Sequence, residues 1–213
     1  MSKKKANKFM ELTDGKNKLR WIRFNPQVAE RYSDFNDYIN LWSCDNNVKE
    51  YITGKNNKQR LADFLIDMVL VDDGHDEGLF YCFDMKDNLV GVAYVMAPME
   101  HENKTNIEYV IVDPRRTGQG LATRMVKSIA DHPDMFTYDR HKGQIAASVE
   151  HTNMASKRVF EKAGFDVVIP GEMSDTGVVN GRYDPLSNRN KYARYILNQR
   201  KNIEDKDSEM GDE

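Results

Sequence analysis

Cysteine is scarce in this sequence: the 213 residues include two, Cys44 and Cys82, which lie far apart in the chain. Two distant thiols suit neither a disulfide scaffold nor a cysteine zinc site. Hydrophobic runs of bilayer length are also missing, and the basic start at residues 1–8 is not followed by an apolar signal segment. We therefore expect a cytoplasmic protein with no membrane partner.

An excess of charge of either sign is missing too. The formal net charge is -3, so the sequence predicts no general attraction to nucleic acid or to an anionic membrane. The length suits one domain with a sizeable core. We predict a disordered basic tail at residues 1–8, a single domain at 9–200, and an acidic disordered tail at 201–213.

What the sequence does contain is a strand, a glycine turn and a helix in succession. Residues 107–112 are β-branched and aromatic and predict a strand, which ends before Pro114 because proline cannot donate to a strand ladder. Gly118 and Gly120 follow, and residues 121–130 have the apolar spacing of a helix. Such a turn presents backbone N–H groups at a positive helix end, which favours binding of phosphate.

This turn differs from two familiar phosphate loops. Leu121 and Ala122 stand where a nucleotide-triphosphate loop has lysine and a hydroxyl residue. Thr123 stands where the dinucleotide motif has its third glycine. Because many strand-to-helix turns use glycine only to turn the chain, the pattern alone is consistent with an anion site or with a structural turn.

A second segment downstream favours the anion site. Residues 153–165 read as a short amphipathic helix with Asn153 as its N-cap and Gly164 as its end. Together, residues 112–122 and 153–165 resemble the GCN5-related N-acetyltransferases (GNAT), whose motifs read V-D-P-x-x-R-G-x-G-L-A and N-x-x-S-x-x-x-x-E-K-x-G-F. The second motif has the form found among ribosomal-protein acetyltransferases.

The resemblance implies an α/β (α+β) fold, in which a central, mixed and mostly antiparallel sheet is splayed between two strands and flanked by about four helices. The order of predicted elements agrees with this fold. Strands are predicted at residues 9–12, 19–24, 79–83, 88–96, 107–112, 144–149, 165–169 and 192–197. Helices are predicted at residues 27–42, 61–69, 121–130 and 153–163. Residues 43–57 are interpreted as a polar link and 171–190 as a long loop.

The resemblance also implies transfer of an acetyl group from acetyl-coenzyme A (acetyl-CoA) to a primary amine, with no metal. The thioester would lie in a gap where the strand at 108–112 splays from the strand ending at Val149. Main-chain groups of 110–112 would hold the pantetheine arm, and N–H groups of 118–122 would cradle the pyrophosphate. The residues implied at the cofactor are Val110, Ile111, Val112, Arg116, Thr117, Gly118, Gln119, Gly120, Leu121, Ala122, Thr123, Asn153, Ser156 and Phe160.

Two residues depart from the family pattern. Thr117 stands where the family has arginine or glutamine, and its neighbour Arg116 either reaches the phosphates instead or is simply solvated. Phe160 stands where the family often has a proton-donating tyrosine, and phenylalanine has no proton to give. The general acid is therefore unassigned, with water as the alternative.

A general base must take a proton from the attacking amine. Glu108 is the first candidate, because a glutamate in this strand often has that role in the family. The alternative is a cross-strand glutamate paired with a lysine. Glu150 and His151, at the end of the adjoining strand, are the second candidates. Histidine has a suitable intrinsic pKa, although a lone histidine at a strand end is more often simply exposed.

The sequence does not specify the acceptor amine. In the family, the link between the first two helices forms a wall of the acceptor site. That position makes the following residues candidate contacts: Asp45, Asn46, Lys49, Glu50 and Tyr51. A solvated connection is the alternative. We also hypothesise that acids at residues 72–77, with Glu172, Asp175 and Asp184, attract a cationic amine.

A second class of function stays open. A non-catalytic acyl-CoA-binding regulatory module on the same fold would also explain the motifs, and the departures at Thr117 and Phe160 are consistent with it. Exposed sheet edges would make a homodimer easy to build.

Overall fold

The computed structural model describes residues 11–25, 30–53, 59–71, 78–96, 104–137, 144–150, 152–168, 178–179, 182–183 and 192–198. Several predicted features lie outside these residues. They are both predicted tails, the acids at 72–77, His151, Glu172, Asp175 and Asp184.

One large sheet runs through the described part of the chain. Its strands are β1 (Glu11–Asp14), β2 (Leu19–Arg23), β3 (Gly78–Asp84), β4 (Leu89–Met96), β5 (Lys104–Val112), β6 (Gln144–Glu150), β7 (Asp166–Val168) and β10 (Tyr192–Asn198). They are ordered β1-β2-β3-β4-β5-β6-β10-β7, and neighbours are antiparallel except β5 and β6. This arrangement confirms the predicted mixed, mostly antiparallel sheet. Within the predicted loop, β8 (Val178–Val179) and β9 (Arg182–Tyr183) pair separately.

The helices of the described chain are α1 (Ser33–Asn40), α2 (Asn46–Val48), α3 (Leu61–Val71), α4 (Leu121–Asp131), α5 (Pro133–Thr137) and α6 (Met154–Lys162). Within the described ranges, none of them is long and apolar enough to cross a membrane. The prediction of an α-helix over 27–42 was too long. The α-helix begins at Ser33, is preceded by a 3₁₀ turn at 30–32, and ends in the 3₁₀ turn Leu41–Cys44.

The link predicted as a polar connection is largely helical. Asp45 Oδ1 accepts the Val48 N–H at 3.2 Å, which begins α2, and a π-helix, Lys49–Thr53, continues it. Val48 is buried in the same apolar cluster as Trp42. One buried apolar residue in a polar stretch produces no visible helical period, which explains why the sequence pattern missed this segment.

The sheet is the middle layer between two apolar cores, because residues of each strand alternate between its faces. In β3, Phe80 and Cys82 join the core beneath α4, α5 and α6. Leu79 and Tyr81 join the core on the opposite face, which α1 and α3 cover. All of these side chains are buried, so the strand is covered on both sides.

The sheet opens between β5 and β6. Their parallel pairing covers only residues 104–106 and 144–146. Beyond that point β6 stays paired with β10, and β5 stays paired with β4. The register of β5 against β4 shifts so that Tyr94 is opposite Tyr109 and Val95 is opposite Ile107, which leaves an unmatched residue between them. The carboxyl ends of β5 and β6 therefore diverge, which confirms the predicted splay.

Candidate active site

The glycine turn lies directly beyond the open end of β5. Gly118 and Gly120 have φ values of 77° and 69°, a region that side chains with a Cβ rarely adopt. A Cβ placed on either glycine would meet no atom within 4 Å, so the space above the turn is open. Helix α4 begins at Leu121, immediately after Gly120. The first N–H groups of a helix have no partner within it, so the turn and the helix together offer donors to an anion.

Asp113 fixes the start of this turn. Its side chain is 1% exposed and accepts hydrogen bonds from the Tyr38 O–H at 2.8 Å and from the Arg115 backbone N–H at 3.0 Å. The Arg115 guanidinium closes an ion pair with the same carboxylate at 2.9 Å and lies 4.7 Å from the centre of the Tyr38 ring. Buried charge is tolerated where it is paired and hydrogen-bonded, and here those bonds attach the turn to α1.

A pocket of about 280 Å³ lies between this turn and α6. Its lining residues are Val112, Arg116, Thr117, Gly118, Gly120, Leu121, Ala122, Thr123, Ala155, Arg158, Val159 and Lys162. Every lining residue from the β5–α4 segment had been predicted at the cofactor. The structure thus brings the predicted loop residues together around one space.

The four lining residues on α6 were missed by the sequence analysis. Ala155, Arg158, Val159 and Lys162 follow the 3-4-7 spacing that places residues on one face of a helix. That spacing was visible in the sequence. The family motif indicated Asn153, Ser156 and Phe160 instead.

The motif residues on α6 have mainly structural environments. Asn153 Oδ1 accepts the Ser156 N–H at 3.0 Å, which confirms the predicted N-cap. Phe160 is 6% exposed and packs in the core, with its ring 5.6 Å from that of Tyr195 and 5.2 Å from that of Phe165. It is not among the residues that line the pocket. The position where the family often has tyrosine therefore carries a core ring here.

Arg116 lines the pocket and also forms an ion pair. Its Nη1 lies 2.9 Å from Asp84 Oδ2, and both side chains are half-buried. Asp84 also accepts the backbone N–H groups of Lys86 and Asn88 at 2.9 and 3.0 Å. Burial alone would raise the pKa of Asp84, but hydrogen bonds from Asn88, Arg116 and Lys86 outweigh it and lower the pKa to about 2. The β3–β4 turn thereby holds Arg116 at the pocket wall.

The candidate bases lie on the two strands that diverge. Glu108 follows Ile107 at the register shift of β5 and is half-buried. Glu150 is the last residue of β6 and is also half-buried. The remaining predicted cofactor residues divide between the layers: Val110 packs against the core under α4, Ile111 is buried in the opposite core, and Gln119 is exposed.

The candidate acceptor contacts form one helical segment rather than an irregular link. Asn46 lies in α2, and Lys49, Glu50 and Tyr51 lie in the π-helix that continues it. Asp45 stands before α2 as its cap. Lys49 and Glu50 are exposed, and Tyr51 is half-buried.

Solved structures with this fold include spermidine N-acetyltransferases from Vibrio cholerae. One, in complex with CoA and spermine, is 18% identical, with 87% of this chain and 98% of that chain covered and a TM-score of 0.59. A dodecameric structure of the spermidine N-acetyltransferase from the same organism in an intermediate state is 17% identical, with 87% and 96% covered and a TM-score of 0.54. At these identities the likeness shows the fold.

The sequence also shows which family the chain belongs to. No curated protein matches the chain. The family model described as acetyltransferase (GNAT) domain matches residues 28–166, a span that holds the glycine turn, the opening between β5 and β6, and α6. The chain belongs to the GNAT acetyltransferases and is an acetyl-CoA-dependent N-acetyltransferase.

Proposed function

We propose that this protein transfers the acetyl group of acetyl-CoA to a primary amine by direct attack within a ternary complex. The observation that carries the proposal is the opening between β5 and β6 beside the glycine-turn pocket. An extended ligand can lie along a strand whose edge is not paired, as an added strand does. Acetyl-CoA supplies the activated acetyl group as a thioester.

The pocket fits the phosphate end of this ligand. Main-chain N–H groups at residues 118–122 lie at the N-terminus of α4, where the helix dipole favours negative charge. The open space above Gly118 and Gly120 allows close approach to those groups. We assign the pyrophosphate to this turn and the pantetheine arm to the main chain of residues 110–112, whose pairing with β6 has ended within the described chain.

Glu108 is our candidate for the residue that takes a proton from the amine. In support of this role, Glu108 lies beyond Asn106, the last residue of β5 that pairs with β6 within the described chain. Most of the rate gain would come from holding amine and thioester together, an effect worth roughly 7–11 kcal/mol in well-oriented models. A general base adds about a hundred- to ten-thousand-fold. Glu150, at the end of the facing strand, is the second candidate.

The acceptor that we would test first is a polyamine. One of the solved structures with this fold is a complex with spermine. The acids that we predict to attract a cationic amine, at residues 72–77 and at Glu172, Asp175 and Asp184, lie outside the described residues. A lysine-containing peptide is the comparison substrate. The peptide and the polyamine both present a primary amine, but the groups around that amine differ.

Gly120→Glu tests the placement of the cofactor. The glutamate would fill the open space above the turn and bring negative charge to the phosphates, so we expect binding of acetyl-CoA to be lost. Thermal melting measures this: ligand at a hundred times its dissociation constant contributes about 2.7 kcal/mol, and each kcal/mol moves the midpoint of a domain this size by roughly 2–4 °C. ATP serves as a ligand control.

The matched control is Gly164→Glu, directly after the C-terminal end of α6. Gly164 also has a positive φ, 91°, and open space around it, so the substitution imposes similar backbone strain away from the turn. We expect this variant to keep the acetyl-CoA shift. If Gly120→Glu kept the same acetyl-CoA-induced rise in melting temperature as Gly164→Glu, the cofactor would not bind at the turn.

Glu108→Gln tests the base and separates an enzyme from a binding module. The amide keeps the shape of the side chain but cannot accept the proton, so binding of acetyl-CoA should persist while turnover falls about a hundredfold or more. Steady-state assays with spermine and a lysine peptide measure the change. Undiminished turnover would transfer the role to Glu150 or to water. Wild-type binding without turnover of any amine would favour the regulatory module.

A further inference from the structure

We infer that Arg158 and Lys162 bind the 3′-phosphate of CoA and make the protein prefer CoA over dephospho-CoA. This inference rests on the proposed placement of the cofactor. It concerns the wall of the pocket that α6 forms, opposite the glycine turn.

The side chains around the pocket carry an excess of positive charge. Three cationic side chains line it, Arg116, Arg158 and Lys162, and no carboxylate does among the described residues. Arg116 is neutralised by Asp84 at 2.9 Å. Neither α6 cation forms an ion pair within the part of the chain that the structure describes. Among the described residues, the pocket therefore keeps two positive charges on one wall that no carboxylate pairs with.

The two cations on α6 are also close together. Arg158 and Lys162 are four residues apart on α6, so they lie one turn apart on the same face. Ala155 and Val159 line the pocket on that face too, and both are short enough to leave room for a ligand between the cations and the glycine turn. Anion donors thus occupy two separate walls: backbone N–H groups at the turn and cations on α6.

The two phosphate-bearing parts of CoA differ in charge. CoA carries a pyrophosphate diester and, apart from it, a phosphomonoester on the ribose. A phosphomonoester has a second pKa near 6 and therefore carries close to two negative charges at neutral pH. Arginine binds phosphate through a planar fork and lysine as a point charge. Two adjacent cations match the monoester, whereas the backbone donors of the turn match the diester.

The experiment compares dissociation constants for CoA and dephospho-CoA by titration calorimetry. Because both cations are exposed, each contact is weakened by solvent, and we expect wild-type protein to prefer CoA by about tenfold at low salt. In the double variant Arg158→Ala/Lys162→Ala, that preference should fall to about twofold or less while affinity for dephospho-CoA stays nearly unchanged. Added salt should reduce the wild-type preference.

A charge-matched control is the double variant Lys127→Ala/Lys157→Ala. Lys127 is exposed on α4, Lys157 is next to Arg158 on α6, and neither lines the pocket. This variant should keep the wild-type preference. Melting temperatures check that every variant is folded.

The outcomes separate this inference from the proposed function. If wild-type protein binds CoA and dephospho-CoA equally well, the inference is wrong and the cofactor placement stands. A double variant that loses affinity for both ligands equally would also overturn it, because the cations would then act on the pyrophosphate or as a general field. If wild-type protein binds neither ligand, the cofactor placement itself fails.

Discussion

Asp84 connects a distant turn of the sheet to the cofactor pocket. Its carboxylate accepts backbone hydrogen bonds within the β3–β4 turn and pairs with Arg116 at the pocket wall. No local pattern could have shown this, because Asp84 and Arg116 are 32 positions apart and meet only in the folded sheet. The sequence raised two alternatives for Arg116, phosphate contact or solvation, and did not indicate the ion pair with Asp84.

We expect Asp84→Asn to lower the free energy of unfolding by about 1–2 kcal/mol at pH 7. The folded-state pKa of about 2 lies below the unfolded value of 3.8, so the ionised carboxylate stabilises the fold above pH 4. That contribution is lost as the pH falls from about 4 towards 2. Urea unfolding of both proteins between pH 7 and pH 3 should show the difference shrinking over the acidic part of the range.

Asp87→Asn is the control for this change. Asp87 lies in the same turn and pairs with Arg20, but its side chain is 75% exposed. An exposed ion pair contributes little, so this variant should differ from wild type by a few tenths of a kcal/mol. Equal losses in the two variants would mean that the Asp84 carboxylate has no special stabilising role.

Strand β10 is the element that completes the second half of the sheet. It pairs with β6 over residues 144–150 and with β7 over residues 166–168. Tyr195, near its middle, is 1% exposed and stacks on Phe160 of α6. The strand therefore supports one side of the opening and the pocket wall beside it: it pairs with β6 where β6 no longer pairs with β5, and it packs beneath the helix that carries Arg158 and Lys162.

A pair of truncated chains tests this role and the proposed domain boundary at residue 200. We expect a chain that ends at residue 200 to melt like the whole protein, because the removed acidic residues are predicted to be disordered. A chain that ends at residue 191 lacks β10, which leaves β6 and β7 without their shared partner. We expect its melting curve, followed by circular dichroism, to show no cooperative transition, and we expect it to bind no acetyl-CoA. Cooperative melting of the shorter chain would contradict this assignment.

At the scale of the whole molecule, the sequence predicted what depends on local chemistry. The β5 strand, the turn at Gly118 and Gly120, the amphipathic face of α4 and the Asn153 cap were all visible in short windows, and the structure confirms them. The family and the fold class followed from the two motifs and are confirmed too. Each of these features depends on residues that are neighbours along the chain.

What the sequence could not predict depends on contacts between distant segments. The insertion of β10 between β6 and β7 is set by pairing across a long stretch of chain. Helix α2 needs the burial of Val48 against Trp42, and the pocket cations on α6 need the glycine turn opposite them. The general base stays a prediction, since Glu108 and Glu150 both flank the opening. The single domain at 9–200 stays a prediction as well.

The place of β10 in the sheet also has a consequence for biosynthesis. A ribosome makes β1 to β5 first, and these strands pair in chain order, so they can fold as they emerge. Until β10 is translated, β6 has only its short pairing with β5, and β7 lacks its neighbour in the sheet. During that interval the growing chain exposes the edges of β6 and β7 to other polypeptides. A pause after β7 has left the ribosome but before β10 has done so would prolong the exposure, so the timing of translation there bears directly on how much protein escapes aggregation.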